Sequence, residues 1–270
     1  MPKKADIAIV IPHGSRSIEY RGARHSVQAF INRASDEGYT CAICDPSSAS
    51  VARNRNVGVH LAKKMGVRWV LMADDDMIFP VDTLTRLIAA NKDIVSGLCT
   101  TRNSPYIITG YKKLDNQRYR DISYEELNQD GLTEVDAVGG ACVLIGENVF
   151  NKIPAPWYAM PPSYVTSLLH SVQYHLAHGL SLEKIFDQNK VEIPTEFSMT
   201  DSGVDGEDLY FSGLAKKFGY KIYLDAGLEV GHIGDWTYSL RDHLDYRGKS
   251  ESGGHTKTSP VVAENPTDTG

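Results

Sequence analysis

The triplet Asp74-Asp75-Asp76 is the part of this sequence in which residue type and spacing point most directly to chemistry. It follows residues 68–73, an apolar run typical of a buried strand. Three adjacent carboxylates repel one another unless a cation compensates their charge. Asp74 and Asp76 alternate along an extended segment, and such oxygen ligands suit Mg²⁺ or Mn²⁺ that carries a diphosphate. The alternative is a solvated acidic turn before the next helix, with Asp82 as the helix cap.

Two later segments also carry side chains capable of chemistry. Glu207 and Asp208 follow Gly206 and open an apolar helical run. A pair of carboxylates in that position also occurs as an ordinary helix start. His232 lies among glycines at the end of a predicted strand, where a single histidine is more often structural than a ligand. Each segment alone therefore leaves its function open.

Taken together and in this order, the segments resemble the family 2-like GT-A glycosyltransferases. The motifs that carry the resemblance are Val51-Ala52-Arg53-Asn54-Arg55-Asn56, residues 69–80, Val138-Gly139-Gly140-Ala141, residues 206–211 and residues 230–234. They span about residues 6–235 and leave out a proline-rich stretch and the C-terminal tail. The resemblance implies transfer of a sugar from a nucleoside-diphosphate sugar, foremost a UDP-sugar, to an acceptor hydroxyl.

The resemblance also implies a role for each matching residue. Asp74 and Asp76 would be the aspartates of the metal motif, with Asp76 the direct ligand of Mn²⁺ or Mg²⁺ and Asp74 nearer the ribose or a metal-bound water. His232 would be a further metal ligand. Glu207 and Asp208 would face the acceptor, with the aspartate as general base in an inverting enzyme. The remaining expected contacts with the nucleotide or the sugar are Pro12, His13, Gly14, Asp45, Arg53, Asp75, Gly139 and Gly140.

The elements that must position these residues alternate between strands and helices in the first half of the chain. The predicted strands cover residues 6–12, 39–44, 68–73 and 94–98, and the predicted helices cover 22–36, 50–65 and 82–90. This alternation predicts an α/β fold: a mostly parallel sheet with helices on both faces, as in a Rossmann-like nucleotide-binding half. Ligands bind outside the carboxyl ends of such strands, which is where the aspartate triplet is expected.

The second half is less regular, and we expect it to form the acceptor half. Residues 135–145 predict one strand interrupted by a glycine pair, and the proline-rich residues 154–200 predict an insertion or lid over the site. A helix is predicted over 209–218, with short strands over 221–224 and 228–230. The domain prediction is one GT-A-like domain over 1–248, divided into halves 1–100 and 101–248, and a disordered tail over 249–270.

Composition limits the class of protein. The chain has 270 residues, with 28 Lys and Arg against 34 Asp and Glu, which gives a formal net charge of -6. That balance counts against a partner bound through many phosphates, without excluding one. No apolar run reaches the ~18 residues that a membrane-spanning helix needs, so we expect a soluble, cytoplasmic protein. The four cysteines, expected to be reduced residues of the core, are Cys41, Cys44, Cys99 and Cys142.

The acceptor and the alternatives stay open at this stage. A glycan, a small molecule or a viral-type hydroxymethylated DNA base would each supply the hydroxyl. A nucleotide-sugar or nucleic-acid binding module without catalysis is the non-enzyme alternative. A sugar-1-phosphate nucleotidylyltransferase would need a longer glycine-rich loop with a lysine than residues 12–16 supply, and a metal-dependent phosphodiesterase would usually gather more histidines.

Four further groups of side chains bear on binding. A basic cluster after the first strand, expected to solvate a loop, consists of Arg16, Arg21 and Arg24. The best candidate patch for nucleic acid consists of Lys112, Lys113, Arg118 and Arg120 with Tyr111 and Tyr119. Aromatic residues that would either contact the acceptor or pack in the core are Trp157, Tyr158, Tyr164, Tyr174 and Trp236, and His170, His175 and His178 are expected to be surface or lid residues.

Overall fold

A computed structural model describes residues 5–14, 20–115, 119–129, 131–159, 206–234 and 237–251, the last five by their backbone only. The predictions for the insertion from residue 160 onward and for the tail beyond residue 251 fall outside these ranges. So do those for Arg16, Arg118, Tyr164, Tyr174, Trp236 and the three histidines of the insertion, His170, His175 and His178.

The described chain alternates strands and helices as far as residue 98. The strands are β1 (Ile7–Val10), β2 (Cys41–Cys44), β3 (Trp69–Ala73), β4 (Met77–Ile78), β5 (Ile94–Leu98), β6 (Gly110–Lys113), β7 (Tyr119–Asp121), β8 (Leu132–Val135), β9 (Ala137–Val138), β10 (Cys142–Gly146), β11 (Ile222–Glu229), β12 (Gly231–Ile233) and β13 (Thr237–Tyr238). The helices are α1 (Arg21–Asp36), α2 (Val51–Met65), α3 (Thr83–Ala89), α4 (Glu147–Lys152), α5 (Glu207–Lys217) and α6 (Leu240–Glu251), with a 3₁₀ turn over Tyr124–Glu126.

A seven-stranded sheet in the order β2-β1-β3-β10-β5-β11-β8 forms the centre of the fold. Strands β2, β1, β3, β5 and β11 run in one direction, while β10 and β8 run against them. The predicted α/β class with a mostly parallel sheet is confirmed. The chain passes from β1 to β2 on one side and then to β3 on the other, so the carboxyl ends of β1 and β3 flank a crevice of the kind in which α/β proteins bind ligands.

Helices cover both faces of this sheet. Successive side chains of its strands point to opposite faces, and both faces carry apolar residues that must be buried. Ile7 and Ile9 of β1 pack in one apolar cluster with residues of α1 and α3. Ala8 and Val10 point the other way, into a cluster with residues of α2, α4 and α5. Helix α2 begins and ends at residues typical of helix caps. Ser50 Oγ accepts a hydrogen bond from the backbone N–H of Arg53, and Gly66 ends the helix in the left-handed conformation at φ 62°.

Two predicted elements of the second half differ in the structure. The strand predicted over 135–145 is two strands in different sheets: β9 pairs with β6 beside β7, and β10 enters the central sheet. The chain changes sheet at Gly139 and Gly140, where no Cβ obstructs the turn. Conversely, the two short strands predicted near the end of the domain form the single strand β11, whose register against β5 shifts between Asp225 and Glu229.

Four smaller features complete the fold. Strands β13, β12 and β4 form a second small sheet next to the aspartate triplet. The four cysteines are free, and all but the half-buried Cys41 are buried. Helix α6 runs to residue 251 and so includes the first three residues of the predicted tail. Within the described ranges, no helix is both long enough and apolar enough to span a membrane.

Candidate functional site

The three aspartates of the triplet turn to three different partners at the carboxyl end of β3. Oδ1 of Asp74 accepts from Arg55 at 2.8 Å, and Oδ2 of Asp75 lies 2.8 Å from Nδ1 of His13. Oδ2 of Asp76 lies 3.3 Å from Nε2 of His232. The repulsion expected among adjacent carboxylates is thus relieved by three separate partners, Arg55, His13 and His232.

His232 reaches Asp76 because β12 pairs with β4, which places residues 156 positions apart in contact. Nδ1 of His232 lies 2.9 Å from the carbonyl oxygen of Thr100. A carbonyl only accepts, so we assign a proton to Nδ1, and Nε2 is the nitrogen that faces the Asp76 carboxylate. A histidine whose Nδ1–H is held by a backbone carbonyl has the tautomer and orientation typical of metal-ligating histidines.

Asp76 also contacts Arg102, whose Nη1 is 3.1 Å from the same oxygen, Oδ2. Burial by itself would raise the pKa of Asp76, but the contact with His232 and the charge of Arg102 outweigh it and lower the pKa. The carboxylate is therefore ionised across the neutral range, as a metal ligand must be. Arg102 was not singled out by the sequence, in which nothing distinguishes it from other loop arginines.

The chemistry of the donor set fits a divalent cation bound together with a substrate. Mg²⁺ and similar ions are commonly held by one or two carboxylates, with phosphates and water completing the coordination. Asp76 and His232 supply one oxygen and one nitrogen donor at a common point. Over the described ranges, no group of three or more His, Cys, Asp or Glu side chains is arranged to hold a metal by itself. A cation at this point would therefore need further ligands, such as water or substrate oxygens, to complete its coordination.

Arg55 is the functional residue that sequence reasoning missed. Its side chain is 3% exposed and donates to three acceptors: Asp74, the carbonyl of Gly140 at 2.9 Å, and Oε1 of Glu207 at 3.1 Å. The signal was present, since Arg55 falls on the apolar stripe of α2 with Ala52 and Val59. A charged residue on such a stripe requires buried partners, and here two carboxylates provide them.

Helix α5 brings the acidic pair to the opposite side of Arg55. Oδ1 of Asp208 accepts from the backbone of Leu209 at 2.8 Å, and Oδ2 accepts from the backbone of Gly140 at 3.2 Å. Burial raises the pKa of Asp208, and the neighbouring Glu207 raises it further, against the charge of Arg55 and the two backbone donors. Burial likewise raises the pKa of Asp74 despite its bond to Arg55.

The predicted glycine pair has a clear packing role. A Cβ at Gly140 would lie 2.6 Å from Cζ of Arg55, so the guanidinium occupies the space that a side chain would take. A Cβ at Gly139 would lie 3.0 Å from Cβ of Thr109. Glycine at these two positions is thus explained by the packing of Arg55 and Thr109. The prediction that the donor sugar approaches this backbone stays a prediction.

Asp45 and Arg53, both predicted around the nucleotide, line separate cavities, while His13 and Asp75 line a third with Asp74. Asp45 lines a cavity of about 360 Å³ together with Arg24 and Ile43, between α1 and β2. Arg53 is exposed and lines a separate groove of about 560 Å³ beside Pro156 and Tyr158.

Pro12, His13 and Gly14 form the start of the loop that follows β1. Pro12 is buried, while His13 and Gly14 are half-buried. The carbonyl of His13 accepts from Asn54 Nδ2 at 2.7 Å, which ties this loop to α2. His13 thus bridges α2 and the aspartate triplet, and it lies in the crevice between β1 and β3.

A further groove of about 550 Å³ opens at the other edge of the sheet. It is lined by Trp69 at the start of β3, by Asp93 before β5 and by Lys221 before β11, among others. These positions precede the parallel strands, so the groove lies across the sheet from the aspartate triplet.

Two members of the basic patch predicted on β6 and β7 have partners within the chain. Arg120 binds Glu126 through two bonds of 2.6 Å and 2.8 Å, and Lys112 donates to the carbonyl of Glu134. The expectation of core packing is confirmed for Trp157 and Tyr158, each 3% exposed.

The site can also be set beside known proteins. No protein-family model matches the chain, and no curated protein sequence matches it. Among solved structures, the chain is similar to A197 from STIV, with a TM-score of 0.49 and 14% sequence identity, over 85% of this chain and 86% of that chain. The function proposed below rests on the side chains of the site.

Proposed function

We propose that this protein is a metal-dependent glycosyltransferase of the GT-A type. It would transfer a sugar from a nucleoside-diphosphate sugar to an acceptor hydroxyl. The observation that carries the proposal is the contact between Asp76 and His232, which come from segments 156 positions apart and meet at the carboxyl edge of the sheet. Asp208 lies on the far side of the Arg55 cluster from them, which supports separate leaving-group and acceptor sides.

Asp76 and His232 would hold Mn²⁺ or Mg²⁺ on the leaving-group side. Such an ion, when bound, stabilises the negative charge that develops on the diphosphate as the bond from the sugar C1 to oxygen breaks. The carbonyl of Thr100 keeps His232 in the required tautomer, and the lowered pKa of Asp76 keeps its carboxylate ionised. The chain's own contribution is therefore an ionised carboxylate, that of Asp76, and an oriented imidazole, that of His232.

Asp208 would act as the general base when transfer proceeds with inversion. The acceptor oxygen bonds to C1 as the diphosphate leaves, and the hydroxyl proton passes to a carboxylate oxygen of Asp208. Its raised pKa makes Asp208 a stronger base than an exposed aspartate. Glu207 is bonded to Arg55 and is thereby a positioning residue, which separates the roles of the acidic pair.

The test begins with a panel of nucleoside diphosphates and Mn²⁺. We expect one of them, UDP first, to raise the melting temperature only when Mn²⁺ is present, and the corresponding nucleotide sugar to be slowly hydrolysed. EDTA should abolish both effects. Asp76→Ala should abolish the hydrolysis while the far-UV spectrum and melting temperature stay near those of the wild type.

Asp82→Ala is the matched control. Asp82 is an exposed aspartate close to the triplet, and its side chain makes no capping bond to α3. This variant should retain metal-dependent hydrolysis. Hydrolysis that survives EDTA, or that persists in Asp76→Ala, would contradict the proposal. Mn²⁺-dependent binding without hydrolysis or transfer would support the binding-module alternative instead.

A further inference from the structure

Arg102 occupies an unusual position at the proposed cation site. It lies on the loop that follows β5, and its Nη1 is 3.1 Å from Oδ2 of Asp76. The same oxygen faces Nε2 of His232 at 3.3 Å. The Arg102 side chain is 46% exposed, whereas that of Arg55 is 3% exposed and bonded to three acceptors. Of these two arginines at the triplet, only Arg102 is free to move without opening the core.

A divalent cation held between Nε2 of His232 and the nearest oxygen of Asp76, Oδ2, would share that oxygen with Arg102. The guanidinium and the cation would then lie within a few ångströms of each other, and like charges at that separation repel strongly in a partly buried site. The exposed fraction of Asp76 is 17%, so water screens this repulsion incompletely. Arg102 therefore opposes the binding of a cation that arrives alone.

A diphosphate changes this balance because it offers Arg102 a better partner. The planar guanidinium binds phosphate oxygens through paired donors, and such charge-assisted bonds are among the strongest in proteins. The Arg102 side chain is 46% exposed, so its guanidinium can change partner without displacing buried side chains.

We propose that Arg102 makes cation binding at Asp76 and His232 depend on the diphosphate. In the free protein, Arg102 neutralises Asp76. When the cation and a nucleoside diphosphate arrive together, its guanidinium transfers to the phosphate oxygens. This inference rests on the proposed function and deepens it, because it names the residue that couples the two ligands. Coupling of this kind is reciprocal: the diphosphate tightens the cation by the factor by which the cation tightens the diphosphate.

The two halves of the proposal predict effects of opposite sign for Arg102→Gln. Mn²⁺ alone, followed by the electron paramagnetic resonance signal of free Mn²⁺, should bind the variant several-fold more tightly than the wild type. The nucleoside diphosphate selected by the panel, titrated calorimetrically with saturating Mn²⁺, should bind about tenfold more weakly, as expected for one lost charge-assisted bond. A merely structural residue would not strengthen one ligand and weaken the other.

Arg33→Gln is the matched control, and Arg102→Lys separates charge from shape. Arg33 is 52% exposed and makes one ion pair of 2.9 Å with Glu37 near the end of α1, so both affinities should be unchanged in that variant. Arg102→Lys should keep Mn²⁺ binding weak, because the charge remains, and should lose part of the diphosphate affinity.

Each outcome discriminates between the two proposals. If the wild type binds Mn²⁺ with the diphosphate and Arg102→Gln changes neither affinity, or weakens both, the role of Arg102 is overturned while the proposed function stands. If the wild type binds no nucleoside diphosphate of the panel in the presence of Mn²⁺, the proposed function fails and the role of Arg102 fails with it.

Discussion

Nε of Arg55 donates to Oε1 of Glu207 over 3.1 Å, and this bond joins α2 to the start of α5 across 152 positions of sequence. The same guanidinium donates to Asp74 and to the carbonyl of Gly140. A buried arginine thus connects the aspartate triplet, the glycine pair and the acidic pair, which had each been recognised separately. Its contacts satisfy Glu207, whereas the oxygens of Asp208 accept from backbone N–H groups.

Replacement of Arg55 by methionine should strongly destabilise the fold. The variant leaves the carboxylates of Asp74 and Glu207 close together without their shared cation, and removal of one partner from a buried charge cluster typically costs about 3–5 kcal/mol. Urea denaturation monitored by circular dichroism measures this loss. Arg53→Met, two positions away on the exposed face of α2, should change the free energy of unfolding by less than about 0.5 kcal/mol. Equal effects in the two variants would mean that the Arg55 cluster contributes nothing specific.

Gly140→Ala should be destabilising, whereas Gly14→Ala should not. The new methyl at position 140 would lie 2.6 Å from Cζ and Nη2 of Arg55, so the buried guanidinium must shift, at a cost of about 1–3 kcal/mol. At Gly14 no atom of the described residues, its chain neighbours aside, lies within 4 Å of the added methyl. Chemical denaturation of both variants provides the comparison. A Gly140→Ala chain as stable as the wild type would show that Arg55 relaxes without loss.

Asp208→Asn should change how stability depends on pH. Burial and Glu207 raise the folded-state pKa of Asp208 above its ordinary value of 3.8. The stability that this group contributes is therefore fully present below that value and is lost as the pH rises through the folded-state pKa. Asparagine does not titrate, so the free energy of unfolding of the variant minus that of the wild type should increase as the pH rises from about 4.

Urea titrations at several pH values between acid and neutral measure this slope. The absolute difference also includes one acceptor lost opposite the backbone of Gly140 or Leu209, which adds a pH-independent offset. Asp74 is present in both proteins, so its contribution cancels from the difference in the free energy of unfolding. A difference that is flat or that falls with pH would contradict a raised pKa for Asp208. Sugar transfer should be abolished in the same variant while the nucleotide still binds.

The first half of the fold was predictable because its signals are local. Buried strands such as residues 69–73 and helices that end at Gly38 and Gly66 are encoded by periodicity and by glycine conformation, which neighbouring residues suffice to define. The same local signals place the aspartate triplet after β3. In a parallel sheet that position lies at the ligand-binding edge, so the location of the candidate site also followed from the sequence.

The second half was less predictable because its strands are defined by their partners. Residues 135–146 contain two strands that belong to different sheets, and only the pairing of β10 between β3 and β5 brings Gly140 beside Asp74. Strand identity depends on long-range pairing, which a short apolar run does not encode.

The residue types of the site were thus determined by the sequence, and their partnerships by the tertiary structure. Asp76 and Asp208 were recognisable from motifs, but the partners His232 and Gly140 come from distant segments that only the packed sheet brings together. Arg55 rather than Arg53 contacts the two carboxylates because it lies on the face of α2 that is buried. Motifs specify which groups are present, whereas burial and long-range contacts decide which charge each group faces and therefore what it can do.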